Sequence, residues 1–176
     1  MDGLFKHSTQ SFQTVARMSL ITKAVYPGTF DPITNGHLDI INRASRVFSK
    51  VIVAIAVSEE KGPRYSVEKR VQMARTATAH LPSVEVVAFD NLLVEFAKSN
   101  DTKMIIRGLR AVSDFEYELQ IGYANASLWK ELETMYLMPS LENAFISSSI
   151  VRSILKHHGD VSHLVPPAVM PFLRDM

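Results

Sequence analysis

Two hydrophobic rhythms alternate along the chain. Val51-Ile-Val-Ala-Ile-Ala-Val57 is a continuous apolar run, as in a strand buried on both faces. Ala24–Tyr26, Val84–Phe89, Met104–Ile106 and Thr134–Met138 are shorter runs of the same kind. Between them the spacing turns helical. Gly36–Phe48 carries Leu38, Ile41, Ala44, Val47 and Phe48 on one face. Ser66 caps a predicted helix running to His80, which Leu81-Pro82 stops. Leu92–Ser99 reads as a short helix, and Ser113-x-x-Glu116 as a capping box opening a helix to about Trp129. Ser147 or Ser148 caps a helix ending near His157, with Gly159 beyond it, and Ala168–Arg174 reads as a short terminal helix. About five strands alternating with helices predict an α/β fold, Rossmann-like and doubly wound around a mainly parallel sheet.

Composition narrows the function classes. The 176 residues suit one domain, which we place at 18–176. Residues 1–17 are rich in Ser, Thr and Gln with scattered Phe5 and Phe12. They read as a disordered extension, a tag or an over-long start ahead of Met18. With no Cys, disulfides, thiolate metal sites and cysteine nucleophiles are excluded, and a cytoplasmic protein is expected. Net charge is +1, from 19 basic and 18 acidic residues without a long basic run, so no nucleic acid partner is expected. No apolar stretch reaches the roughly 18 residues of a membrane span.

Doubly wound sheets bind ligands outside the carboxyl ends of their strands, and three polar segments fall there. The first is Tyr26-Pro-Gly-Thr-Phe-Asp-Pro-Ile-Thr-Asn-Gly-His37. A strand, a small-residue loop and a helix start present outward N–H groups and the positive end of a helix dipole, which suit phosphate. Gly28 and Gly36 let a nucleotide approach the backbone, Thr29 offers a hydroxyl, and His37 offers an imidazole donor. The second is Arg107-Gly-Leu-Arg110, two guanidinium forks about a strand end, which suit phosphate oxygens. Asp114 and Glu116 complement a helix dipole, whereas Glu118 can face the site. The third is Ile146-Ser-Ser-Ser-Ile-Val-Arg152, where three consecutive serines exceed what one N-cap needs. Lys61 is, on sequence alone, a solvated loop lysine. His157-His158 does not read as a metal pair, because adjacent helix residues do not face one site.

Thr34-x-Gly36-His37 matches the Thr/His-x-Gly-His signature of the nucleotidyltransferase superfamily. Together with Ile-Arg-Gly-Leu-Arg-x-x-x-Asp-Phe-Glu-Tyr-Glu over 106–118 and Phe-Ile-Ser-Ser-Ser over 145–149, it resembles the bacterial phosphopantetheine adenylyltransferases from about Lys23 onward. The resemblance implies transfer of AMP from ATP to 4′-phosphopantetheine, giving dephospho-CoA and pyrophosphate. It implies that Thr29, Phe30, His37, Gly108, Leu109, Arg110, Glu118 and the loop Asn143, Ala144, Phe145, Ile146, Ser147, Ser148 and Ser149 meet ATP. It implies that Thr29, Lys61, Leu93 and Arg107 hold phosphopantetheine, with His37, Lys61 and Arg107 serving catalysis. It further implies a homohexamer, inhibition by coenzyme A, and Mg²⁺ carried with ATP rather than held by protein side chains. Asn143 departs from relatives that carry Trp or Tyr there, which removes an aromatic surface from the adenine edge.

Overall fold

The computed structural model describes residues 22–57, 62–110 and 112–173, with side chains omitted at 112–114. The expectations for residues 1–17, for Lys61, for the Ser113 cap and for a helix end at Arg174 lie outside the described residues. Five strands form one sheet: β1 (Lys23–Gly28), β2 (Lys50–Ala56), β3 (Val84–Phe89), β4 (Met104–Gly108) and β5 (Glu133–Leu137). The order is β3-β2-β1-β4-β5, and every neighbouring pair is parallel. The helices are α1 (Asn35–Ala44), α2 (Val67–Thr78), α3 (Leu93–Ser99), α4 (Val112–Leu128), α5 (Ser148–Lys156) and α6 (Met170–Leu173).

The period of two in each strand sorts side chains into two cores. Ala24, Tyr26, Val51, Val53, Ile55 and Ile106 belong to the larger, with Ile40, Ile41, Met73 and Val151 from α1, α2 and α5. Val25, Ile52, Ala54 and Ile105 belong to the smaller, with Val94, Phe96 and Ala97 of α3. Residues 51–55 of β2 are all buried, as their unbroken apolar run requires.

The ends of α2, α3, α4 and α5 fall within two residues of the spacing-based expectation, and α1 is the exception. The α1 helix stops at Ala44 rather than Phe48. The Ser45 hydroxyl donates back to the Asn42 carbonyl, a turn covers 45–47, and Phe48 after it is still buried. The terminal helix is interrupted: a 3-10 turn over Pro167–Val169 precedes α6, and Pro171 has no N–H to continue an α-helical bond back to Pro167 O.

The chain crosses from one side of the sheet to the other between β1 and β4. There β1 pairs with β2 from Lys23 to Gly28 but with β4 at Val25–Ile105. The crevice beyond that pair, where the strand order reverses, is where this topology places ligands.

Candidate active site

Two cavities open at the carboxyl ends of β1 and β4 and meet at Phe30, His37 and Arg110. The inner one, about 170 Å³, is walled by Tyr26, Gly28, Gly36, Arg107, Gly108 and Glu118 among others. The outer one, about 360 Å³, is walled by Thr29, Asp31, Pro63, Ser147–Ser149 and Arg152. The three polar segments are therefore brought into one site.

His37 is fixed by the start of its own helix. Thr34 is the α1 N-cap, and its hydroxyl accepts the His37 N–H at 3.4 Å. In return the Thr34 N–H donates to His37 Nδ1 at 3.1 Å. The result is a capping box with histidine in the place usually held by Glu or Gln. A backbone N–H can only donate, so Nδ1 is an acceptor and the neutral ring carries its proton on Nε2. Burial, and then the charge of Arg110, lower the His37 pKa to about 4. The site therefore offers a neutral Nε2–H donor at physiological pH.

The ring is held on the other side by Phe30, edge-on at 5.0 Å between centroids, and Phe30 in turn meets Tyr26 at 5.3 Å. Phe30 is buried with φ +49, a left-handed backbone that costs a non-glycine residue energy. A side chain at Gly28 would meet the Phe30 ring at 2.8 Å, so only glycine leaves that ring its place. Burial pushes the Tyr26 phenol far up, and it stays protonated.

Asp31 is buried and committed to the protein. It accepts the N–H groups of Arg64 at 2.8 Å and Tyr65 at 3.0 Å. Arg152 of α5 lies 3.3 Å from its carboxylate and donates to its carbonyl at 2.6 Å. This arrangement pins α5 to the loop after β1.

The Arg107 fork, expected from sequence to suit phosphate oxygens, is also engaged within the protein. Its Nε and one terminal nitrogen donate to the two oxygens of Glu118, each at 2.6 Å, and the other terminal nitrogen donates to Pro27 O at 3.1 Å. Glu118, on α4, thus meets the site through Arg107. Burial works against the arginine's charge, but the Glu118 hydrogen bonds and charge leave its pKa raised.

The serines likewise have separate structural duties. Ser147 caps α5 by accepting the Ile150 N–H, Ser148 donates to Pro32 O, and Ser149 accepts from Arg152. What they leave for a ligand is the run of N–H groups at the start of α5. The remaining expected residues lie apart. Leu109 ties its N–H to Leu137 O, and Ala144 follows the 3-10 turn. Asn143 and exposed Phe145 line an adjoining groove, whereas buried Ile146 lines both that groove and the inner cavity. Leu93, at the start of α3, packs on the smaller core and lines neither cavity. Sequence reasoning missed the roles of Thr34, Tyr26, Asp31 and Arg70. For Thr34 a signal existed, a hydroxyl residue three positions before a polar one at a helix start.

The cytidylyltransferase-like family profile matches residues 25–154. The phosphopantetheine adenylyltransferase of Campylobacter hominis is 64% identical over 154 residues, covering 88% of this chain and 97% of that protein. Those of Nautilia profundicola and Campylobacter jejuni are 64% and 66% identical over 151 residues, each covering 86% of this chain and 98% and 96% of theirs.

Proposed function

The chain belongs to the cytidylyltransferase-like family, among its phosphopantetheine adenylyltransferases, and on that premise we propose how its pocket divides the work. The reaction is transfer of AMP from ATP to 4′-phosphopantetheine, giving dephospho-CoA and pyrophosphate. An oxygen of the acceptor phosphate attacks the α-phosphorus of ATP and forms the new P–O bond. The bond from the α-phosphorus to the bridging oxygen breaks, and its electron pair leaves on pyrophosphate. The attacking group is already an anion, so no general base is required. The task is to bring two anions together and neutralise charge growing on the transferring phosphoryl group.

His37 Nε2–H donates to that group, and the observation that carries this reading is the Thr34–Nδ1 bond, which fixes the proton on Nε2 where the two cavities meet. ATP lies against Thr29, Phe30, Gly108, Leu109, Arg110 and the 143–149 loop, with its β- and γ-phosphates toward Arg110 and the α5 start. Three of the five Arg107 N–H groups are used by Glu118 and Pro27, and the acceptor phosphate takes the remaining two. Thr29 and Lys61 complete the acceptor side, whereas Leu93, packed on the smaller core, stays outside it.

Magnesium enters with ATP, as its substrate complex. The carboxylates lining the cavities do not suit a metal cage, since Asp31 and Glu118 are taken by N–H donors, and no group of three His, Cys, Asp or Glu gathers among the described residues. Coenzyme A shares the pantetheine arm of the product and inhibits by occupying the same cavities. The homohexamer is supported by Phe115, Tyr117, Tyr123 and Leu128, large apolar residues exposed along α4. A cytoplasmic location fits the absence of Cys from the chain.

An acceptor panel tests the reading. Pyrophosphate release should require ATP and 4′-phosphopantetheine together, with almost none from pantetheine or nicotinate mononucleotide. Release with nicotinate mononucleotide alone would make this a different adenylyltransferase.

A further inference from the structure

Arg70 is the largest side chain that the fold buries almost completely, at 1% exposure. It sits in the first turns of α2, outside both cavities, and no carboxylate among the described residues pairs with it. Burial lowers its pKa, with partial compensation from the charges of Asp31 and Glu68. Burying a guanidinium is costly, and an apolar residue of similar size would usually pack there at less cost. Packing alone therefore does not account for it.

Its hydrogen bonds show where it acts. One terminal nitrogen donates to Thr29 O at 2.8 Å and to Ala56 O at 2.9 Å, and Nε donates to Tyr65 O at 3.1 Å. These carbonyls belong to the loop after β1, the end of β2, and the residue just before the α2 cap. All three lie at the ligand end of the sheet. A lysine would supply three donors from a single point. Only the planar fork reaches three carbonyls on two sides in fixed directions.

The loop it holds is the one that most needs holding. Thr29 lines the outer cavity, and the next residue is Phe30, whose left-handed backbone persists only if its neighbours fix it. Asp31, one residue further, accepts the Tyr65 N–H while Arg70 takes the Tyr65 carbonyl. Both polar groups of one peptide neighbourhood are thereby anchored around the same loop.

We propose that Arg70 is a positioning residue for AMP transfer: it aims Thr29 at the reacting phosphates by clamping the Thr29 carbonyl to β2 and to the start of α2. It touches neither substrate and acts through Thr29. The proposal rests on the function assigned above.

The test is a double-mutant cycle on the full chain, with Thr29→Ala, Arg70→Lys and their combination. Initial rates of pyrophosphate release would be measured well below each variant's melting temperature. Arg70→Lys should lower kcat by about 10- to 100-fold, the scale of a sub-ångström to ångström misplacement, with the KM for ATP changing less. In the Thr29→Ala background the same substitution should cost no more than about threefold, because the group being aimed is gone. Arg70→Gln keeps donors without a buried charge. It serves the same cycle if the lysine variant does not fold, with the same expected coupling. Multiplying effects in the cycle, or a lowered melting temperature with kcat unchanged, would overturn the proposal. So would failure of both variants to fold, which would make Arg70 an element of stability only. A wild-type chain that released no pyrophosphate would instead refute the assigned reaction, before Arg70 entered.

Discussion

Thr34 and His37 cap one another: the threonine hydroxyl accepts the histidine N–H at 3.4 Å, and the threonine N–H donates to histidine Nδ1 at 3.1 Å. One local motif thus starts α1 and sets the tautomer of the donor. Thr34→Ala should therefore do two things at once. Losing the N-cap should cost about 1 kcal/mol of stability, read from urea denaturation. The backbone N–H that holds Nδ1 survives the substitution, so kcat measured well below the melting temperature should fall only a few-fold, through loss of the 3.0 Å contact between Thr34 Oγ1 and Nδ1. Thr34→Ser keeps the hydroxyl and should restore most of both.

His37→Ala should reduce turnover by about two to three decades, as loss of one transition-state donor does. ATP binding measured by calorimetry should fall far less. Equal losses in binding and turnover would mean that His37 only binds the ground state.

The same residue predicts a pH signature. Its pKa is about 4 in the folded chain against about 6.5 unfolded. Between those values the unfolded chain binds a proton that the folded chain refuses, so stability rises with pH. The contribution is present above pH 6.5 and is lost as pH falls toward 4. In His37→Gln that part of the acid destabilisation should disappear, while the variant's stability above pH 7 should not depend on pH more than the parent's. His37 should add no inflection to kcat near 6.5: any inflection there comes from the second ionisation of the acceptor phosphate, at about 6, and should persist in His37→Gln.

Arg107→Ala should raise the KM for phosphopantetheine and lower kcat, with ATP binding little changed. It should also leave the Glu118 carboxylate without its partner, so stability should fall by about 1–3 kcal/mol. Arg107→Lys should recover only part, since an ammonium cannot serve both Glu118 oxygens and Pro27 O in one plane. A collapse of ATP affinity with acceptor affinity intact would place Arg107 on the nucleotide.

The sequence made the strands and their order of appearance plain, because residues 51–55 are buried without a break and the shorter apolar runs alternate with helical spacing. It also marked the three polar segments that meet in one site, whose glycines, arginines and serines stand where an α/β sheet ends. What it could not carry was pairing across elements. Arg107 looked unengaged because Glu118 meets it only once α4 lies against the end of β4. The serines looked surplus because Pro32 and Arg152, their partners, belong to other segments or a later turn. Arg70 reads as one charge on an ordinary helix, since its three carbonyl acceptors carry no side-chain signature. The Thr34–His37 box was local and readable, but histidine at that position is not in the usual pattern.

The most direct test of the account labels the non-bridging oxygens of the acceptor phosphate with ¹⁸O and follows the label by mass spectrometry. Attack by that phosphate on the α-phosphorus of ATP predicts dephospho-CoA that keeps every labelled oxygen, one of them bridging, and pyrophosphate that carries none. Label in pyrophosphate or in orthophosphate, or no dephospho-CoA at all, would contradict it.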